Sequence, residues 1–262
     1  MIIEQIWTAN EGRNFFYLVA CSNTGETLAI DPIDPGMCLD TAKENGWQVT
    51  RVLNTHEHGD HTGGNNAVIT ATGAKLLGPA DAAGRIDNID EKLREGDVVK
   101  IGSSGEFKVM ETPGHTPIHI SLYGETDEPH LLCGDTLFNA GVGHCRTGDP
   151  NVLYDTFSTK IAALADATRI YPGHEYMANN LGFTLDREPD NQAAKDLLEE
   201  LKGQDPNDAK ITTLGEERQI NTFLRLDSPS VVAGLKERFA DLPNAPDEKS
   251  VFLKLRQLRN GW

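Results

Sequence analysis

Apolar residues recur through the first two thirds of the chain in short runs, several of them alternating with polar positions and each bounded by turn-forming residues. Runs at 2–7, 15–21, 27–30, 49–54, 75–77, 98–101, 107–111, 118–123 and 130–133 read as strands, whose successive side chains point to opposite faces. Between them, 36–45, 62–72 and 151–165 read as helices; in the last, Leu153, Phe157, Ile161 and Leu164 recur at helical spacing. Strands mixed with helices predict an α/β domain with its sheets covered by helices.

After Tyr171-Pro172-Gly173-His174 the pattern changes to helices alone, at 191–202, 216–225, 230–239 and 249–259. Turn-rich stretches, Asp205-Pro206-Asn207-Asp208 and 241–246, separate them. The change places a boundary near residue 176, with a mixed domain over 1–176 and a small all-α domain over 177–262. A chain of 262 residues is long enough for both and for a core that shields a site from solvent.

Charge narrows the functional classes. The net charge is -16, which argues against nucleic acid, since phosphate backbones are bound by clustered cations. Residues 1–176 carry 25 acidic against 12 basic side chains, and residues 177–262 carry 15 against 12. The tail is thus relatively rich in cations for an anionic ligand. No apolar run approaches the roughly 20 residues that span a bilayer, and the start, Met1-Ile2-Ile3-Glu4-Gln5, lacks a basic segment followed by an apolar one. A cytoplasmic protein without membrane partners is expected. Cys21, Cys38, Cys133 and Cys145 show no C-x-x-C spacing and read as reduced thiols.

The strongest chemical signal is Asn54-Thr55-His56-Glu57-His58-Gly59-Asp60-His61, directly after the apolar run Arg51-Val52-Leu53. Residues two apart on an extended strand end project to one side, so His56 and His58 can converge on one ion. Asp60 and His61 fall at the turn into the next helix, where they can face a second. Imidazole and carboxylate together suit zinc, iron or manganese. Two further histidines sit at the ends of apolar runs beside glycine: His115 in Pro113-Gly114-His115-Thr116 and His174 in Pro172-Gly173-His174. Asp135, in Cys133-Gly134-Asp135-Thr136, ends another such run. Ligands at strand ends converge on one sheet edge.

These motifs, in this order, resemble those of the metallo-β-lactamase superfamily. The resemblance implies an αββα sandwich with two divalent metal ions, one held by His56, His58 and His115, the other by Asp60, His61 and His174, with Asp135 bridging. Zinc is the first expectation for both, with iron or manganese as alternatives. Asp31, after Leu28-Ala29-Ile30, resembles an aspartate that supports the ligand loop from behind.

Within the superfamily, Tyr171-Pro172-Gly173-His174-Glu175-Tyr176, Asn179-Asn180, Glu188-Pro189 and the tail segments 212–218, 221–225 and 252–256 resemble the glyoxalase II, or hydroxyacylglutathione hydrolase, family. The resemblance implies hydrolysis of an S-(2-hydroxyacyl)glutathione of the lactoylglutathione type to glutathione and a 2-hydroxy acid. Asp60 and Asp135 would serve catalysis by holding the ions that share the attacking hydroxide. Tyr176 and Arg225 fall on positions that contact glutathione, and His144 and Arg146 stand where the family has a lysine and an aromatic residue. The chemistry asks little else of the protein: two cations lower the pKa of water from about 15.7 to about 7, and a thiolate leaving group has a conjugate-acid pKa near 8.5. Alternatives are a glutathione-persulfide dioxygenase, of which Cys145-Arg146-Thr147 is faintly reminiscent, or a hydrolase of another ester or thioester on the same fold. Oligomeric state is not legible.

Overall fold

The computed structural model describes residues 1–82, 84–126 and 128–262. They form two compact units. The first comprises Met1–Thr112, Ile118–Gly134 and Tyr171–Glu175, the second Pro113–Pro117, Asp135–Ile170 and Tyr176–Trp262.

The first unit begins with β1 (Ile2–Trp7), β2 (Phe15–Ala20), β3 (Glu26–Ile30), α1 (Pro35–Glu44), β4 (Gln48–Leu53), α2 (Gly59–Thr62), α3 (Asn65–Thr72), β5 (Lys75–Pro79) and β6 (Glu91–Leu93). These strands make a six-stranded sheet in sequence order. β1, β2 and β3 pair antiparallel, whereas β3, β4, β5 and β6 run parallel. The parallel stretch requires crossovers; α1 supplies one, α2 and α3 the next. Because β4 is flanked by parallel strands, its carboxyl end is the kind of sheet edge where ligands bind in α/β proteins. The His56 motif begins three residues beyond it.

All six residues of β2 are buried, so both faces of the sheet are covered. Phe16 and Leu18 join Ala29, Val52 and Leu76 in one apolar cluster with Cys38 and Ala42 of α1 and Val68 of α3. On the opposite face Tyr17 meets Tyr171 edge-on at 5.7 Å, and its hydroxyl donates to the Pro172 carbonyl at 2.6 Å. That face packs on a second sheet, built of β7 (Val98–Ile101), β8 (Gly105–Glu111), β9 (Ile120–Gly124) and β10 (His130–Gly134) with antiparallel pairing from β7 through β10.

The second unit carries the hairpin β11 (Leu137–Phe138) and β12 (Gly141–Val142), then α4 (Pro150–Thr156), which runs into a π-helical turn over Phe157–Ile161. β13 (Arg169–Pro172) straddles the division, and its Tyr171 and Pro172, which belong to the first unit, complete that unit's second sheet beside β10. From there only helical elements follow: α5 (Met177–Arg187), α6 (Gln192–Glu200), α7 (Leu214–Ile220), α8 (Pro229–Arg238) and α9 (Glu248–Arg259), with short 3-10 turns at Pro206–Asp208 and Thr222–Leu224. Met177 and Leu181 of α5, Ala194 and Leu197 of α6, Ile220 and Ala140 share an apolar core. Among the described residues no helix is long and apolar enough to cross a membrane.

Several elements differ from the pattern-based expectation. The helix expected over 62–72 begins only at Asn65, separated from the single turn of α2 by Gly63-Gly64, where the Pro32 carbonyl oxygen would lie 1.9 Å from a Cβ on Gly64 and leaves no room for a side chain. The helix expected over 216–225 begins at Leu214, where Thr213 and Glu216 form a reciprocal capping box, and ends at Ile220. α5 has no counterpart in the sequence pattern. Its buried face includes Asn180 and Thr184 besides Met177, Leu181 and Phe183, so polar residues interrupt the apolar repeat. Both polar groups are satisfied: Asn180 Nδ2 donates to the Asn139 carbonyl at 2.9 Å, and Thr184 to that of Ile220 at 2.8 Å.

Candidate metal and substrate site

In the first unit the chain leaves β4 through Asn54 and Thr55, both fully buried, and reaches His56, which forms an antiparallel bridge with His119. His58 caps α2, and Asp60 and His61 lie within that single turn. Nε2 of His56 stands 3.1 Å from Nδ1 of His58, while Nδ1 of His56 is 3.0 Å from the Thr55 hydroxyl. The two imidazoles expected to converge do so.

Asp31 organises the other half. Its φ of 52° places it in the left-handed region. There Oδ1 accepts from the Thr55 backbone at 2.9 Å, and Oδ2 accepts from the Thr55 hydroxyl at 2.6 Å and from His61 Nδ1 at 3.0 Å. A carboxylate behind a histidine fixes its tautomer, leaving Nε2 with the lone pair. His174 is treated alike: Nδ1 donates to the Gly12 carbonyl at 2.6 Å. The two Nε2 atoms then face one another at 3.3 Å, and Asp60 Oδ2 lies 3.5 Å from His174 Nε2 and 3.8 Å from His61 Nε2. Two lone pairs and a carboxylate gathered within 4.8 Å repel one another in the absence of a cation. This donor set fits a borderline divalent metal.

His115 and Asp135 belong to the second unit and face each other there, Nε2 to Oδ2 at 3.4 Å. The His115 Nδ1 donates to the His144 carbonyl at 2.5 Å, again turning Nε2 toward a ligand role. Gly143 is required at this turn, since a Cβ there would fall 1.9 Å from the Asp135 carbonyl oxygen and 3.1 Å from His115 Cβ.

The residues expected to bind substrate divide. Tyr176 caps α5, half-buried, with its ring edge-on to Phe138 at 5.4 Å. His144 is half-buried and Arg146 exposed. Burial first, then the Arg256 and Arg146 charges, depress the His144 pKa to about 4, so the ring is neutral at pH 7. Arg225 is committed elsewhere: Nε and Nη2 grip the buried Glu188 at 2.8 and 3.0 Å, and Nη1 donates to the Arg218 carbonyl at 3.3 Å.

Sequence reasoning missed Arg256. It is 3% exposed, its Nη1 donates to the carbonyls of Val142 and Gly143 at 3.1 Å each, and its Nε donates to Asn260 Oδ1. Among the described residues no carboxylate pairs with it. Burial lowers its pKa to about 10, which still leaves it charged at neutral pH. Arg259, one helical turn on, donates to Asn180 Oδ1 at 3.2 Å. A buried guanidinium without a counter-ion is costly, and an anionic ligand would relieve that cost. The available signal was the Arg256/Arg259 spacing on one face of α9, which is too common by itself to single out.

Residues 17–174 match the metallo-beta-lactamase superfamily, and residues 175–262 match the hydroxyacylglutathione hydrolase C-terminus. The hydroxyacylglutathione hydrolase of Nitrosococcus oceani is 59% identical over 100% of both chains, and that of a Polaromonas species 57% identical over 100% of both. Among solved structures, ETHE1 from Myxococcus xanthus aligns with a TM-score of 0.67 at 25% identity, covering 99% of this chain and 98% of that one.

Proposed function

Because the chain belongs to the hydroxyacylglutathione hydrolase family of the metallo-beta-lactamase superfamily, we propose that it hydrolyses S-(2-hydroxyacyl)glutathione thioesters at a two-metal site. The observation that carries the metal part is the facing of His61 Nε2, His174 Nε2 and Asp60 Oδ2, each turned inward by a hydrogen bond on its far side or by the turn that bears it. His56, His58 and His115 would hold the first ion, Asp60, His61 and His174 the second, and Asp135 both. Zinc is the metal we favour, because four of the five first-unit donors are imidazoles, with iron or manganese meeting the same donors. When bound, two such ions supply Lewis acidity toward the thioester carbonyl and lower the pKa of water.

The chain's own residues orient and bind. Asp31, Gly12 and the His144 carbonyl hold His61, His174 and His115 in the tautomer that coordinates. Residues 1–176 would be the catalytic division and 177–262 the substrate-binding one. Glutathione carries carboxylates, and the buried cation of Arg256, joined by Arg259 and Arg146, offers them the counter-charge that Arg225 spends on Glu188. Tyr176 and the neutral His144 would add hydrogen bonds.

The test compares metal-loaded protein on lactoylglutathione and on an acyl thioester of a simple thiol. Efficient cleavage of the first, loss on chelation and weak cleavage of the second are expected. Equal turnover of both would sink the glutathione assignment, and oxygen uptake with glutathione persulfide would move the protein to a different reaction class.

A further inference from the structure

The loop before β2 is strained: Ala9 and Arg13 hold φ of 53° and 57°, a region that L side chains rarely adopt. Such conformations persist where their surroundings over-determine them. Here the Arg13 guanidinium lies 5.0 Å from the centre of the Trp7 ring and pairs with Glu175. The backbone around His174 is tied to the same loop, Phe15 N–H to the Gly173 carbonyl at 2.8 Å and Glu175 N–H to the Arg13 carbonyl at 2.9 Å. The loop therefore holds His174 from both sides.

Within it, Asn14 is 1% exposed, a buried polar side chain distant in sequence from every ligand motif. Its Oδ1 accepts from Asn10 Nδ2 at 3.0 Å, and Asn10 Oδ1 accepts from the Asn14 backbone at 3.0 Å. That reciprocal pair sets the orientation of the amide. Nδ2 then faces Asp60, 3.1 Å from its carbonyl oxygen and 3.2 Å from Oδ2. The opposite orientation would set an amide oxygen against a carboxylate. An amide nitrogen has two hydrogens, enough to serve both Asp60 oxygens; the His174 Nε2, at 3.5 Å, lies beside them. Asp60 is otherwise the most exposed of the first-unit ligands, its side chain 47% accessible.

We propose that Asn14 is a positioning residue for the second metal position, its Nδ2 holding the Asp60 carboxylate toward His174 by donating to Oδ2 while it also donates to the Asp60 backbone carbonyl. This rests on the two-metal reading above. A neutral donor suits this role, because it orients the carboxylate without cancelling the charge that a cation needs. A purely packing role would require only the shape of the side chain.

Wild type, Asn14→Ala and Asn14→Asp would be titrated with zinc against a chromophoric chelator and with cobalt by visible absorption, their apo forms checked for equal melting. Should wild type take up fewer than two equivalents, the two-metal reading fails by itself. Given two in wild type, both variants should bind one equivalent as before and the other ~10–100-fold more weakly, with a changed cobalt spectrum for that increment. Asn14→Asp keeps the volume and carries the test should Asn14→Ala not fold. Wild-type or tighter affinity for both equivalents in Asn14→Asp, or equal weakening of both, overturns the proposal.

Discussion

Asp31 binds four donors through two oxygens: the Thr55 backbone, the Thr55 hydroxyl, His61 Nδ1 and, at 3.4 Å, Asn54 Nδ2. Replacing it with asparagine would set an amide NH2 against at least one of these donors. Asp31→Asn is expected to weaken metal binding ~10–100-fold and to destabilise the apoprotein by about 1–3 kcal/mol, read by chelator competition and by denaturant unfolding. Two arginines of the tail should behave in opposite ways. Arg225→Ala leaves Glu188, 3% exposed, with the Ser228 hydroxyl but without its charged partner; since Arg225 is itself 32% exposed, a loss of about 1–3 kcal/mol is expected, with little change in KM. Arg256→Ala should instead raise KM for the glutathione thioester ~10–100-fold, the worth of a charge-assisted contact. Steady-state kinetics beside melting curves separates the two.

At the level of elements, the hairpin of β11 and β12 is held by a buried polar network. Glu217 of α7 accepts from the Ala140 backbone at 2.7 Å, from the Thr212 hydroxyl at 2.7 Å and from Asn221 Nδ2 at 3.1 Å. Burial outweighs these bonds and pushes its pKa up to about 7. A carboxyl whose folded pKa is raised stabilises the fold fully below its unfolded pKa, about 4.5, and that contribution is lost as pH rises through about 7. Glu217→Gln should flatten this fall, so the variant gains relative to wild type between pH 5 and pH 8, by up to about 3 kcal/mol; equal pH profiles in urea unfolding would refute the assignment. On the same segment, Gly143→Ala must displace the Asp135 carbonyl, and expected outcomes are a lower melting temperature and impaired metal uptake.

Across the whole molecule, a metal that binds the folded chain and not the unfolded one adds RT ln(1 + [L]/Kd) to stability. Chelation should therefore lower the melting temperature together with abolishing thioester cleavage, and restoring zinc should return both. If the melting temperature is indifferent to chelator, the lone pairs of His61 and His174 are satisfied in another way. The charge pattern bears on the substrate at this scale too. A protein of net charge -16 that takes an anion must concentrate cations locally, and Arg146, Arg256 and Arg259 all bear on His144.

Residue identity and short spacing were enough to determine the H-x-H-x-D-H cluster, the histidines beside glycine at 115 and 174, most strands and the all-helical tail. These depend on local periodicity and on ligand chemistry, both readable within a window of a few residues. Tertiary structure alone decided what lies behind the ligands and what each arginine is free to do. Asn14 reaches Asp60 across 46 residues, Gly12 reaches His174 across 162, and Arg256 reaches the Gly143 carbonyl across 113. Helix α5 was hidden for the same reason, since Asn180 and Thr184 read as solvent-facing until their partners on the Asn139 and Ile220 carbonyls are seen. A buried polar group declares its role only through the partner that satisfies it, and that partner is brought by the fold.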